Sequence, residues 1–248
     1  MADFDELIRE AAARPGGGWD FSWMEGRASG SAPSWSYESM ARDLVRSSAR
    51  LLDVDTGGGE FLAGLAPLPD GSRATEGWAP NVPIAASRLA PLGVAVVASA
   101  DGLLPFDDAS FDLVLNRHGR LDAGETARAL HSGGRLLTQQ VGSDDSEELN
   151  AALGAERGHE AGSWTLERAV AQVESSGLHI EEAREEWPPL TFFDIGAVVL
   201  QLRAVAWQIP DFTVDRYEEP LLALHARIER DGSFTVRSHR FLVLASRP

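Results

Sequence analysis

The segment Leu51-Leu52-Asp53-Val54-Asp55-Thr56-Gly57-Gly58-Gly59-Glu60 constrains this chain more than any other stretch. A short apolar run ends in a carboxylate, breaks into consecutive glycines and continues as a helical pattern. That order predicts a strand, a tight turn and a helix. Glycine allows turn backbone to adopt φ > 0 and to pass close to a ligand. The first turn of the following helix has N–H groups without intrahelical partners. The chain is therefore expected to open an α/β sheet with a cradle for a small molecule.

Several cradles share this outline. The dinucleotide fingerprint G-x-G-x-x-G needs a third glycine for close helix–strand packing. Here Gly57 and Gly59 are followed by Leu62, so that glycine is missing. A phosphate loop needs G-K-[ST], and the chain contains no lysine. The carboxylate of Asp53, just before the glycines, is wrong for a pyrophosphate and suits a cationic or hydroxyl-bearing ligand. A plain βα turn without a ligand is the remaining alternative.

At 248 residues the chain can bury one sizeable α/β domain, with or without a cap. It carries 22 basic and 38 acidic residues, a formal charge of −16. That field repels polyanions, so nucleic acid is not an expected partner. All the basic residues are arginine, which removes Schiff-base chemistry. There is no cysteine, which removes disulfides, thiolate nucleophiles and thiolate metal sites. No signal peptide or membrane span is visible, and no His/Asp/Glu spacing suggests a metal. A cytoplasmic protein with no membrane partner and no metal is expected. Oligomeric state is not legible.

Phe4, Leu7, Ile8 and Ala11 recur at helical spacing. A Gly/Ser-rich stretch with Trp19, Trp23, Trp35 and Tyr37 follows, then a second helix with Tyr37, Met40, Ala41, Leu44 and Val45 on one face. Residues 51–141 alternate between strand and helix patterns, which argues a parallel sheet covered on both faces. The expected strands are Leu51–Asp55, Arg73–Glu76, Val94–Ala98, Phe111–Asn116 and Gly134–Val141. Residues 143–160 read as a loop or frayed helix. Ser163 is expected to cap a helix ended by Gly177, with a strand over Leu178–Glu182. Residues 188–232 break the alternation, with a helix over Phe192–Trp207 and another carrying Leu221, Leu224, His225 and Ile228. Phe241–Ala245 reads as a closing strand. The expected organisation is an N-terminal helical and aromatic lid over 1–50, a core over 51–187, a cap insertion over 188–232 and a closing strand within 233–248.

Glu76 ends the second expected strand. In open α/β sheets an acid there can accept both ribose hydroxyls of a nucleoside. The run Ala98-Ser99-Ala100-Asp101-Gly102-Leu103-Leu104-Pro105-Phe106-Asp107-Asp108-Ala109-Ser110-Phe111-Asp112-Leu113-Val114-Leu115 is the most specific signal in the chain. An Asp follows one strand, then L-P-F, a short turn, and F-D-x-V on the next strand. With the Asp-ended strand and glycine turn of 51–60, this run resembles the class I S-adenosylmethionine (SAM)-dependent methyltransferases. Ser132-Gly133-Gly134-Arg135 matches the turn before the fifth strand of that family. The likeness covers about residues 51–182 well and the rest more weakly. Asp55 departs from it, standing where the family has its first glycine. Asn116-Arg117-His118, Thr138-Gln139-Gln140-Val141, Asp194-Ile195-Gly196-Ala197 and His239-Arg240-Phe241-Leu242 resemble a bacterial subgroup of small class I enzymes.

The resemblance implies a doubly wound, Rossmann-like seven-stranded sheet, mostly parallel, with an antiparallel last strand. It implies SAM as cofactor, held by Asp53, Thr56, Gly57, Gly59, Glu76, Asp101, Gly102, Leu103 and Asn116. Asp101 would receive the exocyclic amine of adenine, which a carboxylate suits because it only accepts. His118 is the candidate base, since histidine titrates near neutrality, with Arg117 beside it. Either could instead orient a loop. Trp19, Trp23, Arg27, Tyr37, Gln139 and Gln140 are the candidates for contact with a small-molecule acceptor. The expected activity is methyl transfer to that acceptor. The alternatives are a SAM-binding fold that has lost methyl transfer or catalyses another reaction, and a nicotinamide-dependent oxidoreductase.

Overall fold

Leu51 and Leu52 are both fully buried, one on each side of their strand, so the short apolar run before the glycines sits inside a sheet covered on both faces. The computed structural model describes residues 3–14, 22–99 and 102–248. In chain order the elements are α1 (Phe4–Ala12), β1 (Ala28–Gly30), α2 (Tyr37–Arg46), β2 (Leu51–Val54), α3 (Glu60–Gly64), β3 (Arg73–Glu76), α4 (Val82–Leu89), β4 (Ala95–Ala98), β5 (Phe111–Arg117) and α5 (Ala123–Ala129). They continue as β6 (Leu130–Val141), α6 (Glu147–Leu153), α7 (Leu166–Ser175), β7 (His179–Glu186), β8 (Pro189–Phe192), α8 (Ile195–Ala204), α9 (Glu218–Asp231), β9 (Phe234–Arg237) and β10 (Arg240–Ser246).

The chain divides into two compact units. The larger comprises Ser34–Val141, Thr165–Glu185 and Arg240–Pro248. Its sheet has seven strands in the order β4-β3-β2-β5-β6-β10-β7. The β4/β3, β3/β2, β2/β5 and β5/β6 pairs are parallel, and β10 runs antiparallel to β6 from Arg240↔Val141 to Ser246↔Arg135. This is a Rossmann-like α/β sheet in which the order reverses on either side of β2, the place where open sheets bind ligands. Ala41 and Val45 of α2 pack with Leu51, Leu113, Leu115, Leu137 and Leu242. Each such leucine contributes roughly 1.5–3 kcal/mol by leaving water. Ser36 starts α2 by accepting the Ser39 N–H at 3.1 Å. Thr165, not Ser163, caps α7 by accepting the Arg168 N–H at 3.4 Å. Both residues carry the hydroxyl a cap needs, and only Thr165 stands directly before the helix.

The smaller unit comprises Met1–Pro33, Gly142–Trp164 and Glu186–His239. Its three-stranded antiparallel sheet, β1-β8-β9, packs with helices around Phe4, Leu7, Phe192, Ile195, Leu221 and Val236. Asp194 caps α8 by accepting the Ala197 N–H at 2.9 Å. The helix expected over Phe192–Trp207 is shorter, Ile195–Ala204, and at its N-terminal end Pro189–Phe192 is used as a strand. Residues 143–160 contain α6. Among the described residues no helix is long and apolar enough to cross a membrane.

Candidate functional site

The site is built where β2, β3 and β5 end. Strand β2 stops at Val54 because Asp55 has φ = 55°, a left-handed conformation that cannot continue a strand. Thr56 N–H donates to Thr75 O at 2.9 Å, which ties the turn to β3. Gly57 (φ 64°) and Gly59 (φ 80°) need the conformational freedom of glycine. Gly59 has a second reason: a Cβ there would lie 2.9 Å from Leu89 Cγ of α4. The two glycines thus form the tight turn expected, and Gly59 also lets α4 approach it.

Three carboxylates line these strand ends. Asp53 is buried and accepts the Thr56 hydroxyl at 2.6 Å. Burial pushes its carboxyl up to about 7; the Thr56 bond and Arg117 oppose the rise, and the charges of Asp55 and Glu76 add to it. Glu76 accepts the Gly57 N–H at 2.6 Å and the Trp78 N–H at 2.8 Å. Its carboxyl is also raised, first by burial. Asp55 accepts the Arg120 N–H at 3.0 Å, and burial raises its carboxyl too. A carboxylate held by two backbone N–H groups is rigid and keeps lone pairs to offer a hydroxyl.

Beside them is a cavity of about 140 Å³ lined by residues that include Asp55, Thr75, Gly77, Ser99, Gly102 and Arg120. That is below the ~300 Å³ at which drug-sized pockets begin. Gly102 (φ 79°) lies under the Arg120 side chain, 3.1 Å from the position a Cβ would take to Nη1. Leu103 and Trp78 are exposed. Trp78 is a candidate that sequence reasoning missed. Its signal was its place two residues beyond the strand-ending Glu76. Asp101 lies outside the described residues.

At the end of β5, Asn116 is buried and fully engaged. Its amide donates to Arg120 O at 3.2 Å, and its Oδ1 accepts from Thr138 Oγ1 at 2.9 Å and Gln140 Nε2 at 2.5 Å. Gln140 is buried in the same network. Arg117 is exposed, with its guanidinium 4.9 Å from the centre of the Phe61 ring. His118 has φ = 63° and donates its backbone N–H to Gln139 O at 2.7 Å. Its ring Nε2 is 2.9 Å from Gln139 Nε2.

The imidazole is enclosed on most sides, yet the residue is exposed along one edge. Water therefore solvates part of the ring. Desolvation first, then the charges of Arg240 and Arg117, hold it below the usual histidine value. Trp35 and Tyr37, expected at a lid, are buried in the larger unit's core. Trp35 Nε1–H donates to Gln139 Oε1 at 2.8 Å, and the Tyr37 hydroxyl to Leu137 O at 3.1 Å. Burial holds the Tyr37 hydroxyl well above its ordinary pKa.

Trp23 and Arg27 belong to the smaller unit. The Arg27 guanidinium lies 4.1 Å from the Trp23 ring centre and pairs with Glu10 at 2.8 Å and Asp194 at 3.2 Å. Trp19 lies outside the described residues. The larger unit thus brings together Asp53, Thr56, Gly57, Glu76 and Gly102 at one end of the sheet, with Asn116, Arg117, His118, Gln139 and Gln140 on the strands alongside.

No protein-family model matches the sequence, and no curated protein matches it. Solved structures do match. The YcgJ protein of Bacillus subtilis is 17% identical with a TM-score of 0.62, over 85% of this chain and 97% of that one. BH2331 of Bacillus halodurans C-125, whose description as a methyltransferase is itself provisional, is 16% identical with a TM-score of 0.61, over 86% and 99%. The [4+2]-cyclase SpnF is 18% identical with a TM-score of 0.51, over 84% and 81%. Methyltransferases recur among the matched structures. At these identities the likeness shows the fold, which is that of the class I SAM-dependent methyltransferases.

Proposed function

We propose that this chain, having the class I methyltransferase fold, binds SAM at the carboxyl ends of β2 and β3 and moves its methyl group to a small-molecule acceptor. The observation that carries the reading is Glu76, a carboxylate clamped by the Gly57 and Trp78 N–H groups beside the glycine turn. With Asp55 it makes a carboxylate-lined surface, which suits ribose hydroxyls and a cationic centre. The acceptor set therefore fits SAM, with one departure at Asp55. Bound SAM supplies a methyl group on a sulfonium leaving group.

The chain's own residues bind and orient. Glu76 accepts from the ribose hydroxyls. Trp78, Gly102 and Leu103 flank the base, and Asp101 receives its amine. Thr56 holds Asp53 in place under the turn. Asn116 and Gln140 act by fixing the ends of β5 and β6 to each other. Arg117 and His118 face the acceptor, and the reaction proceeds mainly by alignment and exclusion of water. The acidic balance of the chain, −16, argues against a nucleic-acid acceptor.

Asp55 favours one second reading. A carboxylate stands at a turn position the family fills with glycine, and the same fold serves a protein named as a cyclase. Incubation with methyl-labelled SAM and a panel of phenols, carboxylic acids and amines separates the two. Acceptor-dependent formation of S-adenosylhomocysteine supports methyl transfer. Tight SAM binding without turnover on any acceptor supports the second reading.

A further inference from the structure

The indole N–H of Trp35 donates to Gln139 Oε1 in the interior, at 2.8 Å. Indole has a donor and no acceptor, so this bond decides which end of the amide faces it. The carbonyl oxygen turns to Trp35 and the amide nitrogen turns to His118 Nε2, 2.9 Å away. An amide N–H can only donate. His118 Nε2 must then present its lone pair, and the neutral ring carries its proton on Nδ1. A proton on Nε2 would set two donors against each other.

The lock is reinforced from the backbone. His118 sits at φ = 63° and donates its own N–H to Gln139 O, so ring and main chain are both tied to one residue. The charged groups that act on the ring are Arg117 on its own strand and Arg240 on β10, both positive. They disfavour a second proton on the imidazole and favour an anion beside it. Among the described residues no protein group is bonded to Nδ1.

We infer that Trp35 and Gln139 hold His118 as a neutral Nδ1–H donor, and that the acceptor reaches it as an oxyanion: a phenolate, an enolate or a carboxylate. This rests on the methyl-transfer reading for the identity of the acceptor, and on the hydrogen-bond chain alone for the state of the ring. With Nε2 engaged and Nδ1 already protonated, the ring has no vacant site for an incoming proton. It can steady negative charge. The acceptor oxygen then supplies the electron pair of the new O–CH₃ bond, the pair of the broken C–S bond stays on sulfur, and no proton has to leave. Trp35 and Gln139 are positioning residues in this scheme.

The test is a two-bond ¹H–¹⁵N correlation spectrum of the full chain labelled with [¹⁵N]histidine, with His118 assigned by the signals lost in His118→Gln. The expected wild-type ring has Nδ1 protonated and Nε2 bare, with no titration through the neutral range. Gln139→Leu should release Nε2 and move the midpoint toward the ordinary value of ~6.5. Gln139→Glu, which offers an acceptor instead of a donor, should draw the proton to Nε2. A wild-type ring protonated on Nε2, or titrating with a midpoint near ~6.5, would overturn the lock.

Benzoate and benzamide then probe the acceptor class. A shift of the Nδ1–H signal with benzoate alone supports an oxyanion site, and an equal response to both, or to neither at the limit of solubility, overturns that part. None of these measurements requires SAM. Failure here leaves methyl transfer standing, and absence of SAM binding would leave the ring lock standing.

Discussion

Asp55 and Gly119 share one small volume: a Cβ on Gly119 would lie 2.5 Å from Asp55 Cβ. Asp55 also accepts the Arg120 N–H. The loop after β5 therefore closes on the turn after β2 through a glycine facing an aspartate. Gly119→Ala should destabilise the protein by about 1–3 kcal/mol, the usual cost of overpacking. In an Asp55→Gly background most of that cost should vanish, giving a coupling of roughly 0.5–3 kcal/mol. Urea unfolding of the two single variants and the double variant measures it. Additive losses would show that the two residues do not compete for the same space.

The left-handed backbone at Asp55 sets an order among its substitutions. Asn tolerates φ > 0 and can still accept from Arg120. Gly tolerates the backbone and loses the bond. Ala loses the bond and carries a Cβ penalty of roughly 1–2 kcal/mol. Thermal midpoints should therefore fall in the order Asn, Gly, Ala. An Ala variant as stable as the Gly variant would mean the turn relaxes out of the left-handed region.

Asp53 makes stability depend on pH in a definite direction. Its folded-state carboxyl is raised to about 7 from the ordinary 3.8. A raised value means the native state holds the proton more tightly. The associated stability is full below the unfolded value and is lost as pH rises through the folded one. Asp53→Asn keeps an acceptor for Thr56 and has no charge to bury. Relative to wild type, its melting temperature should therefore rise as the pH goes from below 3.8 to above 7. Tenfold in proton affinity corresponds to about 1.4 kcal/mol, so the effect is a few kcal/mol at most. A difference that stays flat with pH would mean Asp53 titrates normally.

Glu76→Gln replaces one acceptor oxygen by a donor that must face the Gly57 or the Trp78 N–H. The lost charged hydrogen bond is worth about 1.5–3 kcal/mol, or roughly ten- to a hundredfold in affinity. Ribose is common to SAM and S-adenosylhomocysteine, so both should weaken alike. Calorimetry with both ligands gives the comparison. A loss confined to SAM would show that Glu76 answers to the sulfonium.

Much of the larger unit was legible because its signals are local. Leu51–Val54, the glycines and Glu60 gave the strand, turn and helix directly, and Phe111, Leu113 and Leu115 are buried as their alternation required. The closing strand over Phe241–Ala245 is read from the chain itself, and the resemblance supplies its antiparallel direction, which periodicity does not indicate. The small sheet was not read. Ala28-Ser29-Gly30 carries no apolar alternation, and Pro189 at the start of a strand looks like a breaker. Phe234-Thr235-Val236-Arg237 does alternate between buried and exposed after the Gly232 turn, and was available as a signal.

The buried fate of Trp35 and Tyr37 was hidden for another reason. Their partners, Gln139 and the Leu137 carbonyl, lie on β6, far along the chain. Sequence distance concealed the same contact that fixes the His118 ring.

In our reading the acid-and-glycine cradle of β2 and β3 binds SAM. Titrating the wild-type chain calorimetrically with SAM, S-adenosylhomocysteine and a nicotinamide dinucleotide tests it most directly. Saturable one-site binding of SAM and S-adenosylhomocysteine, weakened together by Glu76→Gln, with no heat from the dinucleotide, is the predicted result. Binding of the dinucleotide in place of SAM, or no binding of either adenosyl ligand by the folded chain, would contradict it.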